Sequence, residues 1–294
     1  MRKIIVSLLF IALTSCSKSQ DYSQLAINTA FPTVDIPQIA GTQAFTPMTG
    51  DAHETVYSPD GKFVAKQYSE INPSGKQAIE IQDKLGNLIW QIPYQANILN
   101  ETSYSSYIYI YQWAKDSAAL YFYYVSHHEV SSGMRWRWHD LRKLNLKTGN
   151  IQTVLSGAGF MEFSISPDGT QIAYVRDIDN SSIIFIRNLE TGYEKKTNVS
   201  FASENHYRVY EISWSPSGSK LAFQSETNDG TVQTIYLNLA TTKQKVIKEY
   251  KLYAVKFNGW SDDDHLDFAN FDTVVHANVN NDEIIVIGTI TPVP

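Results

Sequence analysis

Apolar and polar positions alternate along this chain in short runs, and each run follows the same tight-turn signature. Lys62-Phe63-Val64-Ala65, Gln171-Ile172-Ala173-Tyr174 and Lys220-Leu221-Ala222-Phe223 carry a period of two, the spacing that lines one face of a strand. Before them stand Tyr57-Ser58-Pro59-Asp60-Gly61, Ile165-Ser166-Pro167-Asp168-Gly169 and Trp214-Ser215-Pro216-Ser217-Gly218. Proline presets φ, aspartate bonds its own backbone and glycine supplies a positive φ, so each copy predicts a β-hairpin. Two worn copies, Trp113-Ala114-Lys115-Asp116-Ser117 and Trp260-Ser261-Asp262-Asp263-Asp264, fill the gaps. The second residues fall at 58, 114, 166, 215 and 261, spacings of 56, 52, 49 and 46. A period of roughly 40–50 residues marks a propeller, solenoid or array.

A second turn follows each hairpin: Lys84-Leu85-Gly86-Asn87, Lys147-Thr148-Gly149-Asn150, Glu190-Thr191-Gly192-Tyr193, Ala240-Thr241-Thr242-Lys243 and Asn280-Asn281-Asp282-Glu283. Strand-like runs flank each one. The repeat unit is therefore four strands with two tight turns, a propeller blade, and no helical periodicity longer than two turns competes with it after the first 15 residues. The fold class predicted is all-β, a propeller of four-stranded antiparallel blades with five recognisable repeats, five- or six-bladed. The blades are expected at 52–94, 107–155, 160–199, 208–250 and 254–290.

The pattern hydrophobic-Ser-Pro-Asp-Gly, followed by hydrophobic-Ala-aromatic, resembles the blade repeat of the TolB-like propellers, which are periplasmic, and which share the repeat with the propellers of prolyl-oligopeptidase-type peptidases. The resemblance covers about residues 52–290. It implies a propeller outside the cytoplasm and leaves the function open, because folds host many functions.

The copies differ on one side only. The Ser-Pro-Asp-Gly and Thr-Gly turns are short and share one face of the disc. The other connections include the long polar stretches Gln95–Ser106 and Ser200–Tyr207, and an insertion in the second blade, Ser126–His139, ahead of a third strand expected at Asp140–Leu146. Loops on a rigid scaffold carry function more often than the scaffold does, so the working surface is expected on this second face, towards blades 1 and 2.

The insertion holds three of the seven His and two of the six Trp. Trp and Arg are enriched at recognition hot spots, which makes Trp136, Trp138, Arg135, Arg137 and His139 the candidate binding residues. The plainer reading is a long hairpin whose Trp face packs on the blade while Arg faces water. A metal site from His127, His128, Glu129 and His139 is disfavoured, since adjacent residues on a strand point to opposite faces. Asp177-Ile178-Asp179-Asn180-Ser181-Ser182 alternates oxygens but lacks the Gly and Glu of a calcium loop. Asp262-Asp263-Asp264 reads as a worn turn. No nucleophile elbow is present: Gly259-Trp260-Ser261-Asp262-Asp263 lacks the final Gly. No phosphate loop is present either. No cofactor or metal is expected.

Net charge is −6 over 294 residues, which argues against a nucleic-acid partner. The N-terminus reads as a targeting segment. Arg2 and Lys3 precede a short apolar core, Ile4–Leu13, and Leu13-Thr14-Ser15-Cys16 resembles the lipobox of bacterial lipoproteins. The resemblance implies a signal peptide at 1–15, acylation of Cys16, a tether over 16–51 that ends by docking on the propeller, and the propeller domain at 52–294. An ordinary secretory signal with a chance cysteine is the other reading. Cys16 is the sole cysteine, so no intrachain disulfide forms. The expected protein is lipid-anchored on the periplasmic or extracellular side of the envelope and binds an envelope protein or peptide. The alternatives are a propeller lyase or hydrolase acting on glycan, and a small-ligand sensor or capture lipoprotein.

Overall fold

The computed structural model describes residues 47–69, 77–94, 105–129, 135–156, 160–178, 181–202, 206–227, 229–251, 256–270, 273–281 and 283–289. All belong to the unit Pro32–Pro294. The expected signal segment, Cys16 and most of the expected tether lie outside the described residues.

The described residues form five four-stranded antiparallel sheets, each a simple meander in chain order. Blade 1 holds β1 (Glu54–Tyr57), β2 (Phe63–Tyr68), β3 (Ala78–Asp83) and β4 (Leu88–Pro93). Blade 2 holds β5 (Ser105–Trp113), β6 (Ala119–Glu129), β7 (Arg135–Asn145) and β8 (Ile151–Leu155). Blade 3 holds β9 (Phe160–Ile165), β10 (Gln171–Ile178), β11 (Ser181–Asn188) and β12 (Glu194–Ala202). Blade 4 holds β13 (His206–Trp214), β14 (Lys220–Thr227), β15 (Thr231–Asn238) and β16 (Gln244–Lys251). Blade 5 holds β17 (Lys256–Trp260), β18 (His265–Asn270), β19 (Thr273–Asn278) and β20 (Ile284–Thr289). The chain is a β-propeller, as the repeat predicts. One expectation is corrected: Ser200–Tyr207 is not a long loop. β12 runs to Ala202 and β13 starts at His206, because Ser181↔Ala202 and His206↔Thr227 still pair. Asp177–Ser182 is likewise a tight hairpin in which Ile178 pairs with Ser181.

The turns behave as their residues dictate. In the first, the Ser58 hydroxyl donates to Asp60 Oδ1 at 2.8 Å, and the amides of Lys62 and Phe63 donate to Asp60 Oδ1 and Ser58 Oγ. Blade 3 repeats this with Ser166 and Asp168. Gly61, Gly169 and Gly218 take φ of +68°, +77° and +72°. In the worn second copy Ser117 holds the same position at φ 59°, a left-handed conformation that costs a non-glycine residue about 1–2 kcal/mol. Its Oγ accepts the Asp60 amide of the neighbouring blade at 3.1 Å, which ties two turns of the same disc face together.

Apolar clusters fill the four junctions between successive blades. Ile79, Ile81, Ile110, Leu120 and Phe122 join blades 1 and 2. Tyr121, Leu141, Ile172 and Tyr174 join blades 2 and 3. Ala173, Ile184, Trp214 and Phe223 join blades 3 and 4, and Ala222, Leu266 and Phe268 join blades 4 and 5. The first strands pack on one another across the junctions, as the innermost strands of a propeller do. Their free edge amides need partners, and side chains of the preceding blade supply them. Gln67 Oε1 accepts the Ile110 amide at 3.0 Å and Gln77 Oε1 accepts that of Ile108 at 3.4 Å.

A second device recurs at the end of the first strand. Trp113 Nε1 donates to Val56 O at 3.0 Å, Trp214 Nε1 to Ser164 O at 2.8 Å, and Trp260 Nε1 to Ser213 O at 3.1 Å. Each indole thus bonds the carbonyl two residues before the turn serine of the blade behind it. Tyr57, the blade 1 counterpart, is 70% exposed. Among the described residues no apolar cluster joins blade 5 to blade 1. The chain just before β1 instead covers part of blade 1, where the Met48 amide donates to the fully buried Glu80 at 2.6 Å.

Candidate binding surface

The insertion of blade 2 prolongs the sheet. β6 and β7 are 11 residues each, against 8 and 8 in blades 3 and 4 and 6 and 6 in blades 1 and 5. At ~3.4 Å per residue the hairpin outreaches its counterparts by roughly 10–17 Å. Its ladder runs unbroken from Ala119↔Asn145 to Glu129↔Arg135, with Val125↔His139, Ser126↔Trp138, His127↔Arg137 and His128↔Trp136 between. The third strand therefore begins at Arg135 and not at Asp140, because the residues read as a connection continue the pairing. Alternation puts positions 136 and 138 in one set with Asp140, Arg142 and Leu144, and positions 135, 137 and 139 in the other with Leu141. The side chains of Arg135, Trp136, Arg137, Trp138 and His139, and those of His127, His128 and Glu129, lie outside the described residues.

Below the hairpin sits a buried ion pair. Arg142 places Nε 2.7 Å and Nη2 2.6 Å from the same oxygen of Asp140, Oδ2, with the two side chains 3% and 2% exposed. The guanidinium carbon stands 5.1 Å from the ring centre of Tyr124, and the Tyr124 hydroxyl donates to Pro93 O of blade 1 at 3.3 Å. Burial pushes the Asp140 carboxyl above the usual carboxylate range, with the Arg142 charge opposing it. Burial also pushes the Tyr124 phenol well up, so that hydroxyl stays a donor. Among the described residues, the buried Asp140 Oδ1 and Arg142 Nη1 have no hydrogen-bond partner. Neither residue can leave without stranding the other's charge, so the hairpin rises from a fixed base. Sequence reasoning missed this pair. Its signal was an acid and a base two apart in the strand, and so on the same face.

Blade 5 brings together a second group. Leu266, Phe268 and Ala277 point into the junction with blade 4. His265 and Asp267 on β18, and His276 and Asn278 on β19, occupy the opposite face, paired His265↔Asn278 and Asp267↔His276. The two imidazoles stack at 4.3 Å between ring centres with 17° between planes. His265 Nδ1 lies 2.9 Å from both carboxylate oxygens of Asp262. His276 Nδ1 lies 2.5 Å from Asp267 Oδ1 and 3.2 Å from Ser261 Oγ. The acidic triplet does form a turn, and the amide of Asp264 and the His265 side chain hold the Asp262 carboxyl below its ordinary range. Asp263 Oδ1 accepts the Ser217 amide of blade 4 at 2.9 Å, and Lys220 Nζ donates to Asp264 Oδ1 at 2.8 Å. His265 and His276 are far apart in sequence and were not read as a pair.

Open grooves run between blades. One of about 770 Å³ lies between blades 3 and 4, with Lys195, Lys196, Asn198 and Asn238 on its walls. Another of about 640 Å³ lies between blades 2 and 3, beside Trp113, Tyr121, Lys143 and Asp168.

No protein-family model matches the chain, and no curated protein matches it. Among solved structures it is similar to oligogalacturonate lyase from Vibrio parahaemolyticus, with a TM-score of 0.53, 14% identity, and coverage of 84% of this chain and 69% of that one. It is also similar to Porphyromonas gingivalis dipeptidyl peptidase 4, with a TM-score of 0.52, 13% identity, and coverage of 84% of this chain and 41% of that one. A putative TolB from Agrobacterium tumefaciens aligns with a TM-score of 0.43 and 16% identity over 83% of this chain and 82% of its own. The chain thus spans less than half the length of the peptidase. At such identities the likeness shows the fold alone, and that fold is the β-propeller.

Proposed function

We propose that this chain is a lipid-anchored β-propeller of the bacterial cell envelope that binds an envelope protein or peptide through the blade 2 hairpin. The observation that carries the reading is the β6–β7 ladder, which outreaches every other second-to-third-strand hairpin among the described residues and rises from the buried Asp140–Arg142 pair. A projecting ribbon on a rigid base keeps its geometry before the partner arrives, which lowers the ordering cost of binding. Trp136 and Trp138 are the anchors in this reading, with Arg135, Arg137 and His139 around them. The Leu13-Thr14-Ser15-Cys16 motif supports the anchor and the location.

Two measurements test it. A photo-crosslinking residue at position 132, between β6 and β7 in sequence, placed in the full-length lipoprotein in cells, captures one defined envelope partner if the hairpin is the recognition element. Trp136→Ala and Trp138→Ala leave the melting temperature nearly unchanged and weaken that capture by at least ~2 kcal/mol, a hot-spot loss. A loss of stability of ~3–5 kcal/mol in both variants, the scale of a core truncation, overturns the reading. For the anchor, Cys16→Ala moves the protein from the membrane fraction to the soluble one, since the acyl chains supply the membrane affinity. Equal retention of both forms overturns that part.

A further inference from the structure

We infer that His265, His276 and Asp262 form a binding site for a divalent transition-metal ion, with zinc as the best-fitting ion. Each of the three offers one ligand atom, and these atoms lie within 4.8 Å of one another. Ligands at ~2.0–2.2 Å from a tetrahedral ion lie about 3.4 Å apart. The widest pair of ligand atoms must therefore close by up to roughly 1 Å, while His265 Nδ1 and the Asp262 oxygens, at 2.9 Å, already lie inside that span. The side chain of Asp262 is 57% exposed, and those of His265 and His276 are 27% and 20% exposed.

The backbone supplies the preorganisation. The register His265↔Asn278 and Asp267↔His276 puts the two histidines on adjacent strands, one step apart on the same face. The sheet holds them there, because the residues between them, Leu266, Phe268 and Ala277, are locked in the blade 4 junction. Asp262 is delivered by the turn that begins β18, where its Oδ1 accepts the Asp264 amide at 2.7 Å. The outer groups match what a metal-bound imidazole needs, a carboxylate on the ring to fix its orientation and raise its basicity. Asp267 stands 2.5 Å from His276 Nδ1.

The charge balance selects a cation. Asp262 and Asp267 each meet a histidine nitrogen, at 2.9 and 2.5 Å, while Lys220 Nζ is taken by Asp264 at 2.8 Å. A single divalent ion bound through one nitrogen of each ring and an Asp262 oxygen answers the carboxylates that gather around the two rings. Two imidazole nitrogens and one carboxylate oxygen, with the fourth position left to water, suit zinc better than calcium or magnesium, which take oxygen ligands.

The site is tested by titrating the full-length protein with zinc sulfate at pH 7.5 by calorimetry, and by recording the visible absorption of the cobalt-loaded form as a report on nitrogen coordination. The expected result is saturable binding of one equivalent that His265→Gln and His276→Gln each weaken at least tenfold. Asp263→Asn, an acidic neighbour outside the ligand set, leaves binding unchanged. Metal-free melts of each variant separate loss of ligand from loss of fold, because zinc raises the melting temperature of the parent and not that of a folded ligand variant. No saturable binding by the parent protein, or binding by either histidine variant as tight as that of the parent, overturns the inference.

Discussion

Trp214 of blade 4 donates its indole N–H to the carbonyl of Ser164 in blade 3 at 2.8 Å, while its ring is 6% exposed in the junction between them. The same bond joins Trp113 to Val56 and Trp260 to Ser213. Blade 3 carries Ile165 in this position and forms a different link, its amide donating to the Tyr111 hydroxyl at 3.4 Å. Trp214→Phe keeps most of the apolar ring and removes the donor, so it is expected to lower stability by about 0.5–1.5 kcal/mol, the net worth of one hydrogen bond. Trp214→Ala also opens a cavity and is expected to cost about 3–5 kcal/mol. Urea denaturation of both variants checks the order. A Trp214→Phe variant as stable as the parent would show that the bond to Ser164 adds nothing.

The Asp140–Arg142 pair predicts strong non-additivity. Asp140→Asn leaves a buried guanidinium without its counter-charge, and Arg142→Met leaves a buried carboxylate; each is expected to lower stability by about 3–5 kcal/mol. The double variant Asp140→Leu with Arg142→Met removes both charges and is expected to be more stable than either single variant. Denaturation of the parent, Asp140→Leu, Arg142→Met and the double variant closes the cycle and measures the coupling.

Turn aspartates and Asp140 respond to pH with opposite sign. Hydrogen bonds from the Lys62 backbone and side chain hold Asp60 well below the ordinary carboxylate range, and the Ser166 hydroxyl and Thr170 amide lower Asp168. A lowered folded pKa gives stability that is full above the ordinary carboxylate pKa and is lost as pH falls through the lowered value. For Asp140 the folded pKa is raised, so its ionisation takes stability away as pH rises from the ordinary value through the raised one. The double variant Asp60→Asn, Asp168→Asn is therefore expected to be less stable than the parent at pH 7. The gap should narrow steadily below about pH 4, the ordinary carboxylate value. A gap independent of pH would remove the turn carboxylates as the cause.

Gly149 and Gly86 occupy equivalent turns at φ of +72° and +85°. A Cβ on Gly149 would lie 2.3 Å from the Trp90 ring, whereas a Cβ on Gly86 meets nothing within 4 Å. Trp90 is fixed there by its own bond, Nε1 to Leu146 O at 2.9 Å. Gly86→Ala is expected to cost about 1 kcal/mol for the left-handed backbone alone. Gly149→Ala must also displace an indole from the blade 1–2 junction, and thermal melts are expected to show a clearly larger loss.

Shortening the blade 2 hairpin separates its base from its tip. Replacing residues 127–137 with a two-residue Asn-Gly turn keeps Leu120, Phe122, Tyr124, Leu141 and Leu144, all buried in the junctions on either side. The melting temperature is expected to stay near that of the parent, with partner capture lost.

Local chemistry made the blades legible from the sequence. A Ser-Pro-Asp-Gly turn sets its own backbone, and a period of two assigns each strand a buried face, so the five repeats and their approximate limits follow from residues close together in the chain, while the choice between five and six blades does not. The hairpin of blade 2 was legible as extra residues in one copy, although pairing, which carried the strands out to Glu129 and Arg135, depends on a ladder with no sequence signal of its own. Asp140 with Arg142, and His265 with His276, were decided by tertiary structure. Burial between two blades makes the first pair an obligate couple, and the register of β18 on β19 stacks the second. The bond from Trp214 to Ser164 belongs to the same class: the sequence shows the tryptophan before the turn, but its partner is a backbone carbonyl, which every residue has. Only the packing of one blade on the next decides which carbonyl it meets.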